Sequence, residues 1–93
     1  MTRQYELMVI MTATYDFSKE SAVKEMLQTL VGDTLSVKDL TIYGKKELSY
    51  EIQKQKEGIY IVCALEGLAK IADIENRVKL GTDVLRYLLT VKE

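Results

Sequence analysis

The 93-residue sequence predicts a single α+β domain, over residues 1–93, with a four-stranded antiparallel sheet and two helices on one face. Segments with strand-like apolar patterns occur before, between and after two segments with helical apolar spacing. The resulting order, β-α-β-β-α-β, defines the ferredoxin-like sandwich, whose right-handed crossovers put both helices on the same side. A chain of this length buries ~60 to 65% of its unfolded surface, which suits one domain.

The first strand is predicted over residues 5–11, where both parities are apolar except at Glu6, as is typical of a central strand. The first helix follows, and Asp16 and Ser18 offer side-chain oxygens for its N-terminal cap. Its apolar residues, at helical spacing, are Ala22, Val23, Met26, Leu27, Leu30 and Val31. We expect this helix to end at Gly32.

The second strand begins near residue 34 and needs a break in its alternation. Leu35 and Val37 share one parity, whereas Leu40 and Ile42 have the other. Because the side-chain period of a strand is two, this change of parity predicts a β-bulge near Asp39.

The same strand continues through a glycine to residue 52. Glycine permits backbone conformations that a side chain penalises, so Gly44 is predicted to bend the strand. After it, Leu48, Tyr50 and Ile52 alternate with polar residues. The pattern therefore predicts one long, bent edge strand that extends beyond its neighbours, followed by a polar turn over residues 53–58 and a third strand over residues 59–66.

The second helix is predicted after Gly67 and before Gly81. Its apolar face is formed by Leu68, Ile71, Ile74 and Val78. The last strand spans residues 84–91. In this arrangement one face of the sheet is not covered by the two helices.

Composition limits the classes of function. The net charge of -1 argues against a molecule that is basic overall, so nucleic-acid binding would need a local basic patch or a basic partner. No apolar run is long enough to span a bilayer, and no secretory signal is recognised, so we expect a cytoplasmic protein without membrane contact.

The sequence offers little for catalysis. It has no histidine and one cysteine, Cys63, which lies among apolar residues and is expected to be a small buried side chain. Phosphate-binding glycine motifs are absent. We therefore expect no catalytic residues, no metal site, no cofactor and no small-molecule substrate. An RNA-recognition domain would need aromatic platforms on its central strands, where only Tyr5 and Tyr60 are available.

The block Gly44-Lys45-Lys46-Glu47-Leu48-Ser49-Tyr50-Glu51-Ile52 resembles the signature of bacterial small-subunit ribosomal protein six. Weaker similarity extends over most of the chain, in Arg3-Gln4-Tyr5-Glu6, Gly58-Ile59-Tyr60 and Val84-Leu85-Arg86. The resemblance implies a ferredoxin-like structural constituent of the small ribosomal subunit that is not an enzyme. It also implies two partners, small-subunit ribosomal RNA and ribosomal protein eighteen. The second of these, a basic protein, would supply the missing positive charge.

The same resemblance suggests two sets of site residues. The RNA contacts would be Arg3, Lys46, Arg86 and Lys92, and the partner-binding residues on the long strand would be Leu48, Tyr50 and Ile52. Gln53 and Glu51 depart from the family pattern, which makes contacts at the far end of the strand less defined.

A second hypothesis is a self-associating, ligand-sensing ferredoxin-like module that does not bind RNA. The open sheet face of such a domain can pair with a second copy of itself. A tight dimer that is indifferent to RNA would favour this alternative.

Overall fold

A computed structural model of the chain describes residues 3–81 and 83–92. In this part of the chain the elements are β1 Arg3–Thr12, α1 Glu20–Val31, β2 Leu35–Ile52, β3 Gln55–Gly67, α2 Ile71–Lys79 and β4 Val84–Lys92. The strands form one sheet in the order β2-β3-β1-β4, and every neighbouring pair is antiparallel. The predicted β-α-β-β-α-β fold is therefore confirmed.

The core lies between the helices and one face of the sheet. It contains the inward side chains of the strands and the apolar stripes of both helices, among them Leu7, Val9, Val23, Leu27, Ile59, Ile61, Ile74 and Val78. Tyr5 is fully buried there, and its hydroxyl donates a hydrogen bond to the Ala69 carbonyl oxygen at 2.8 Å. This bond ties the loop before α2 to a central strand.

The predicted cap of the first helix is wrong. Helix α1 begins at Glu20, and Lys19 occupies the N-cap position without a side-chain hydrogen bond. Asp16 instead accepts a hydrogen bond from the Ser18 backbone N–H at 3.0 Å. The Asp16 carboxylate is therefore used in a local turn that precedes the helix, and it does not cap the helix N-terminus. The predicted end at Gly32 is confirmed, since its N–H donates to the Gln28 carbonyl oxygen at 3.1 Å.

The second helix is shorter than its apolar spacing predicts. It begins at Ile71, so Leu68 lies in the preceding loop with 64% of its surface exposed. The buried residues of α2 are Ile74 and Val78. The expected end near Gly81 is confirmed, because the Gly81 N–H donates to the Val78 carbonyl oxygen at 3.0 Å.

Strand β2 has 18 residues and pairs with β3, which has 13. The register shifts between Val37 and Asp39, and again between Ile42 and Gly44. The first shift confirms the predicted bulge near Asp39. At the second, Gly44 has φ +89°, a conformation that side chains rarely adopt, so the predicted hinge is also confirmed.

A third irregularity lies before the hairpin turn. Glu47 pairs with Glu57, but the next pair joins Ile52 to Gln55, so four residues of β2 face a single residue of β3. The turn itself is Gln53 and Lys54, both with positive φ, rather than the predicted polar turn over residues 53–58. A two-residue turn of this conformation matches the twist of the strands it joins.

The start of the β2 edge is covered by one side chain from α1. The Gln28 amide donates to the carbonyl oxygens of Gly32 at 2.9 Å and Leu35 at 2.6 Å, and its oxygen accepts the Val37 N–H at 3.1 Å. The bonds to Leu35 and Val37 occupy backbone groups on the side of β2 that faces away from β3. Gln28 therefore protects this part of the edge from pairing with another strand.

We expect Gln28→Ala to lower the free energy of unfolding by about 1 to 3 kcal/mol, because it leaves partly buried backbone groups without partners. Thr29→Ala, at the exposed next position of α1, is the control and should change stability by less than about 0.5 kcal/mol. Urea unfolding followed by circular dichroism measures both. Equal stability of the two variants would contradict the role given to Gln28.

We expect Gly44→Val to destabilise the fold by about 1 to 3 kcal/mol, because φ +89° strains a β-branched residue. A Cβ there would meet only Phe17, at 3.9 Å, so the cost comes from the backbone and not from a clash. Gly44→Asn is the matched control, since asparagine tolerates positive φ better. The unfolding temperature should be highest for the wild type, lower for Gly44→Asn and lowest for Gly44→Val. A Val variant as stable as the Asn variant would show that no hinge is needed.

Candidate nucleic-acid interface

The sheet face opposite the helices carries three rows of side chains across β3, β1 and β4. From one end of the sheet to the other, these rows are Ala64–Glu6–Thr90, Val62–Met8–Leu88 and Tyr60–Ile10–Arg86. The expectation of a face without helices is confirmed. The middle row is entirely apolar, whereas the outer rows contain polar or charged groups.

The apolar middle row is a surface that the sequence analysis did not identify. Leu88 is 58% exposed, and Met8 and Val62 are half-buried. The sequence did indicate an apolar outer face, because β1 and β3 have apolar residues at both alternating sets of positions. An exposed apolar row bordered by polar groups is typical of a surface that binds another macromolecule.

The end of the β2–β3 hairpin bends over the row that contains Ile10. Leu48 and Ile10 are both buried although they lie on the face without helices. A Cβ at Gly58 would lie 2.5 Å from the Ile10 side chain and 3.4 Å from that of Leu48, so the glycine provides the space that both occupy. Gly58 thus allows the hairpin to pack onto this end of the face.

The same bend brings the two outer strands of the sheet into contact. Arg86 of β4 donates a hydrogen bond from Nη1 to the Tyr50 hydroxyl of β2. Its guanidinium carbon lies 5.3 Å from the centre of the Tyr50 ring, within the range of a cation–π contact. Because β2 and β4 are the opposite edges of the sheet, this contact is possible only if the hairpin crosses the face.

The four predicted RNA contacts fall into two pairs at opposite ends of the sheet. Lys46 pairs with Gly58 and Arg86 with Ile10, so both lie at the hairpin end. Arg3 begins β1 and Lys92 ends β4, beside Gln4. At ~3.4 Å per residue, the six residues from Gln4 to Ile10 place the pairs about 20 Å apart.

The two cations at the far end differ in their surroundings. Lys92 forms a salt bridge with Glu6 at 3.1 Å, and both side chains are about half exposed, so part of its charge is neutralised. Arg3 borders a groove together with Lys70 and Arg77, two cations that the sequence analysis did not select.

The hairpin end carries a net positive charge. Residues 44–58 contain four lysines and three glutamates, to which Arg86 adds another positive charge. Lys46 is exposed, and the chain as a whole has a net charge of -1. The hairpin end is therefore a basic region on an otherwise slightly acidic protein.

The structure changes the expected role of one partner-binding residue. Leu48 is only 9% exposed and packs beside Ile10, so it supports the hairpin and offers little surface to a partner. Leu48 was expected on the partner surface from the resemblance alone, which does not reveal that the hairpin folds back over the sheet face. Tyr50 is 58% exposed and Ile52 is partly exposed.

Groups suited to catalysis do not converge in the described residues, which contain no cluster of three or more metal-ligating side chains. Cys63 is buried, and loss of solvation raises the pKa of its thiol to about 12. It is therefore a neutral thiol at physiological pH. Among the helices of the described part, none has the length and apolar character needed to cross a bilayer.

A ferredoxin-like sheet with an exposed apolar row and cations at both ends defines a small macromolecule-binding domain. The family model described as Ribosomal protein S6 matches residues 4–92. The chain therefore belongs to the ribosomal protein S6 family, a family of structural proteins, and is a cytoplasmic component of the small ribosomal subunit. The resemblance stated from residues 44–52 is confirmed.

Individual relatives agree with this assignment. The chain is similar to small ribosomal subunit protein bS6 of Moorella thermoacetica, with 31% identity over 90 residues that cover 95% of this chain and 92% of the relative. The bS6 protein of Mycolicibacterium paratuberculosis is 37% identical over 89 residues, covering 90% of each chain. The crystal structure of 30S ribosomal protein S6 from Thermotoga maritima has the same fold, with a TM-score of 0.79 and 19% identity over 99% of this chain and 89% of that chain.

We expect Cys63 of the folded protein to react with a maleimide at pH 8 on the order of a thousandfold more slowly than in the unfolded chain, because its thiolate fraction is so small. The raised pKa of about 12 sets this direction. Parallel labelling in buffer and in guanidinium chloride, read by mass spectrometry, measures the ratio. Rapid labelling of the folded protein would show a reactive thiol and reopen the question of catalysis.

Proposed function

We propose that this protein is a non-catalytic constituent of the small ribosomal subunit that binds small-subunit ribosomal RNA together with ribosomal protein eighteen. The observation that carries the proposal is the face without helices, where an apolar row lies between Lys46 and Arg86 at one end and Lys92 at the other. RNA phosphates fit the cations, and a protein partner fits the apolar row. Membership of the ribosomal protein S6 family supports both parts.

The RNA contacts proposed are Lys46 and Arg86 at the hairpin end, with Arg3 and Lys92 at the other end. Arginine and lysine donate charge-assisted hydrogen bonds to phosphate oxygens. Since the two pairs are about 20 Å apart along the strands, they would contact different stretches of the RNA backbone. The salt bridge to Glu6 makes Lys92 the weaker contact of the far pair.

The partner surface proposed combines the apolar row with the outer edge of β2. Beyond Val37, where the hydrogen bonds of Gln28 end, strand β2 is paired on one side only in the described part of the sheet. Such an edge can accept a strand of another protein, and Ile52 lies along it. A basic partner suits a chain with net charge -1 and would bring additional cations to the RNA.

We expect the double substitution Lys46→Ala, Arg86→Ala to weaken binding to a transcribed central domain of small-subunit ribosomal RNA by about 1 to 3 kcal/mol in the presence of the partner. The slope of log affinity against log salt should fall by about 2, one for each lost phosphate contact. Filter binding between 50 and 300 mM salt measures both quantities.

The matched control is Lys19→Ala, Lys24→Ala, which removes the same charge from exposed positions on the helix side. It should leave affinity and salt slope nearly unchanged, and both variants should unfold at the wild-type temperature. If the two double variants lose the same affinity, the effect comes from overall charge, and the RNA contacts proposed here are wrong.

The role of the partner is tested separately by capturing the same RNA with and without ribosomal protein eighteen. We expect efficient capture of the wild-type chain only when the basic protein is present, because the isolated chain is slightly acidic. Leu88→Glu should prevent efficient capture even when the partner is present, because it places a carboxylate in the apolar row. A stable dimer of the wild-type chain that ignores both RNA and partner would instead support the self-associating module.

A further inference from the structure

Arg86 is held in a defined position although it lies on the surface. One of its donors bonds to the Tyr50 hydroxyl, and its guanidinium lies against the Tyr50 ring. A guanidinium has five N–H donors, so four remain for another acceptor. Arg86 is thus oriented but not satisfied by Tyr50.

Tyr50 is itself fixed by the hairpin. Two residues earlier in β2, Leu48 is buried beside Ile10 on the open face, in the space that Gly58 leaves. Ile10 is also the residue of β1 that pairs with Arg86. The chain therefore places the tyrosine ring and the arginine over the same position of the sheet from opposite edges.

We propose that Tyr50 is a positioning residue for RNA binding: it holds the Arg86 guanidinium so that its remaining donors face an RNA phosphate. This inference rests on the proposed function, and it assigns Tyr50 to the RNA site instead of the partner surface. A free arginine side chain must lose rotamer freedom when it binds a phosphate, and an arginine already held by an aromatic ring has lost part of it beforehand.

The phosphate, rather than the protein partner, is favoured by the chemistry around Tyr50. Tyr50 belongs to the hairpin end, whose residues 44–58 together with Arg86 carry more positive than negative charge, and the exposed guanidinium presents N–H donors. An apolar partner surface would gain from a free aromatic ring, but the Tyr50 ring is occupied by a charged group. The apolar row at Leu88 lies one row further along the sheet.

A double-mutant cycle tests this inference with the full-length chain, the partner protein and the transcribed central-domain RNA. The variants are Tyr50→Leu, Arg86→Ala and the combination of both. Tyr50→Leu alone should weaken RNA binding about two- to fivefold, the range expected for an exposed cation–π contact. In the Arg86→Ala background the same substitution should have no further effect, because there is no guanidinium left to position.

The salt dependence separates positioning from direct contact. Arg86→Ala should reduce the salt slope by about 1, and Tyr50→Leu should shift the slope in the same direction although it removes no charge. Tyr50→Phe, which keeps the ring and loses the hydroxyl, should recover most of the affinity. Tyr43→Leu is the control, since Tyr43 lies on the same strand with 57% exposure and has no hydrogen bond or cation–π contact with Arg86 in the described residues.

Two results would overturn the inference. Additive losses from Tyr50→Leu and Arg86→Ala, with an unchanged salt slope for the former, would mean that Tyr50 contacts RNA or partner on its own. A loss caused by Tyr50→Leu together with a lower unfolding temperature, and not repaired by Phe, would mean a purely structural role. If Arg86→Ala alone has no effect on binding, the proposed RNA contact of Arg86 fails first, which is a different outcome from the failure of positioning.

Discussion

The difference in length between two paired strands determines most of what is specific to this molecule. Strand β2 has 18 residues and β3 has 13, so β2 must contain residues without a partner. The register accommodates them at Lys38, at Tyr43 and within residues 48–51. Each unpaired residue bends the strand and increases its local twist. The bends accumulate, so the end of the hairpin does not continue in the plane of the sheet but turns over the face that lacks helices.

The outer edge of β2 differs between its two ends. At the start of β2, Gln28 occupies the outward backbone groups and keeps the edge closed. Further along, the edge is paired on one side only in the described residues, while the hairpin end is held inward by Leu48 and Tyr50. A long, flat edge invites uncontrolled pairing, whereas a bent one with lysines on it does not. The geometry thus leaves a limited stretch of β2 available for a specific partner.

Local patterns were sufficient to predict the order of elements, the bulge near Asp39 and the hinge at Gly44, because parity and glycine act through neighbouring residues. The helix cap was predicted wrongly because Asp16 can satisfy its carboxylate in a local turn as readily as at a helix end. The packing of Leu48 beside Ile10 and the contact between Tyr50 and Arg86 could not be predicted. Both depend on how far three separate irregularities rotate the hairpin. Leu88 was missed for another reason: an apolar residue on an outward parity has the same pattern whether its face is covered or exposed.

The arrangement of charge explains how a protein with net charge -1 can take part in RNA binding. An exposed cation interacts with phosphate mainly over distances below the Debye length, about 8 Å at physiological salt, so the local grouping matters more than the total. At the hairpin end the cations come from the β2–β3 hairpin and from β4, and strands β2 and β4 are separated by two strands. Arg86 joins the hairpin lysines in one group only because the hairpin crosses the face. The bent strand that limits pairing along the edge is therefore also the feature that assembles the basic region.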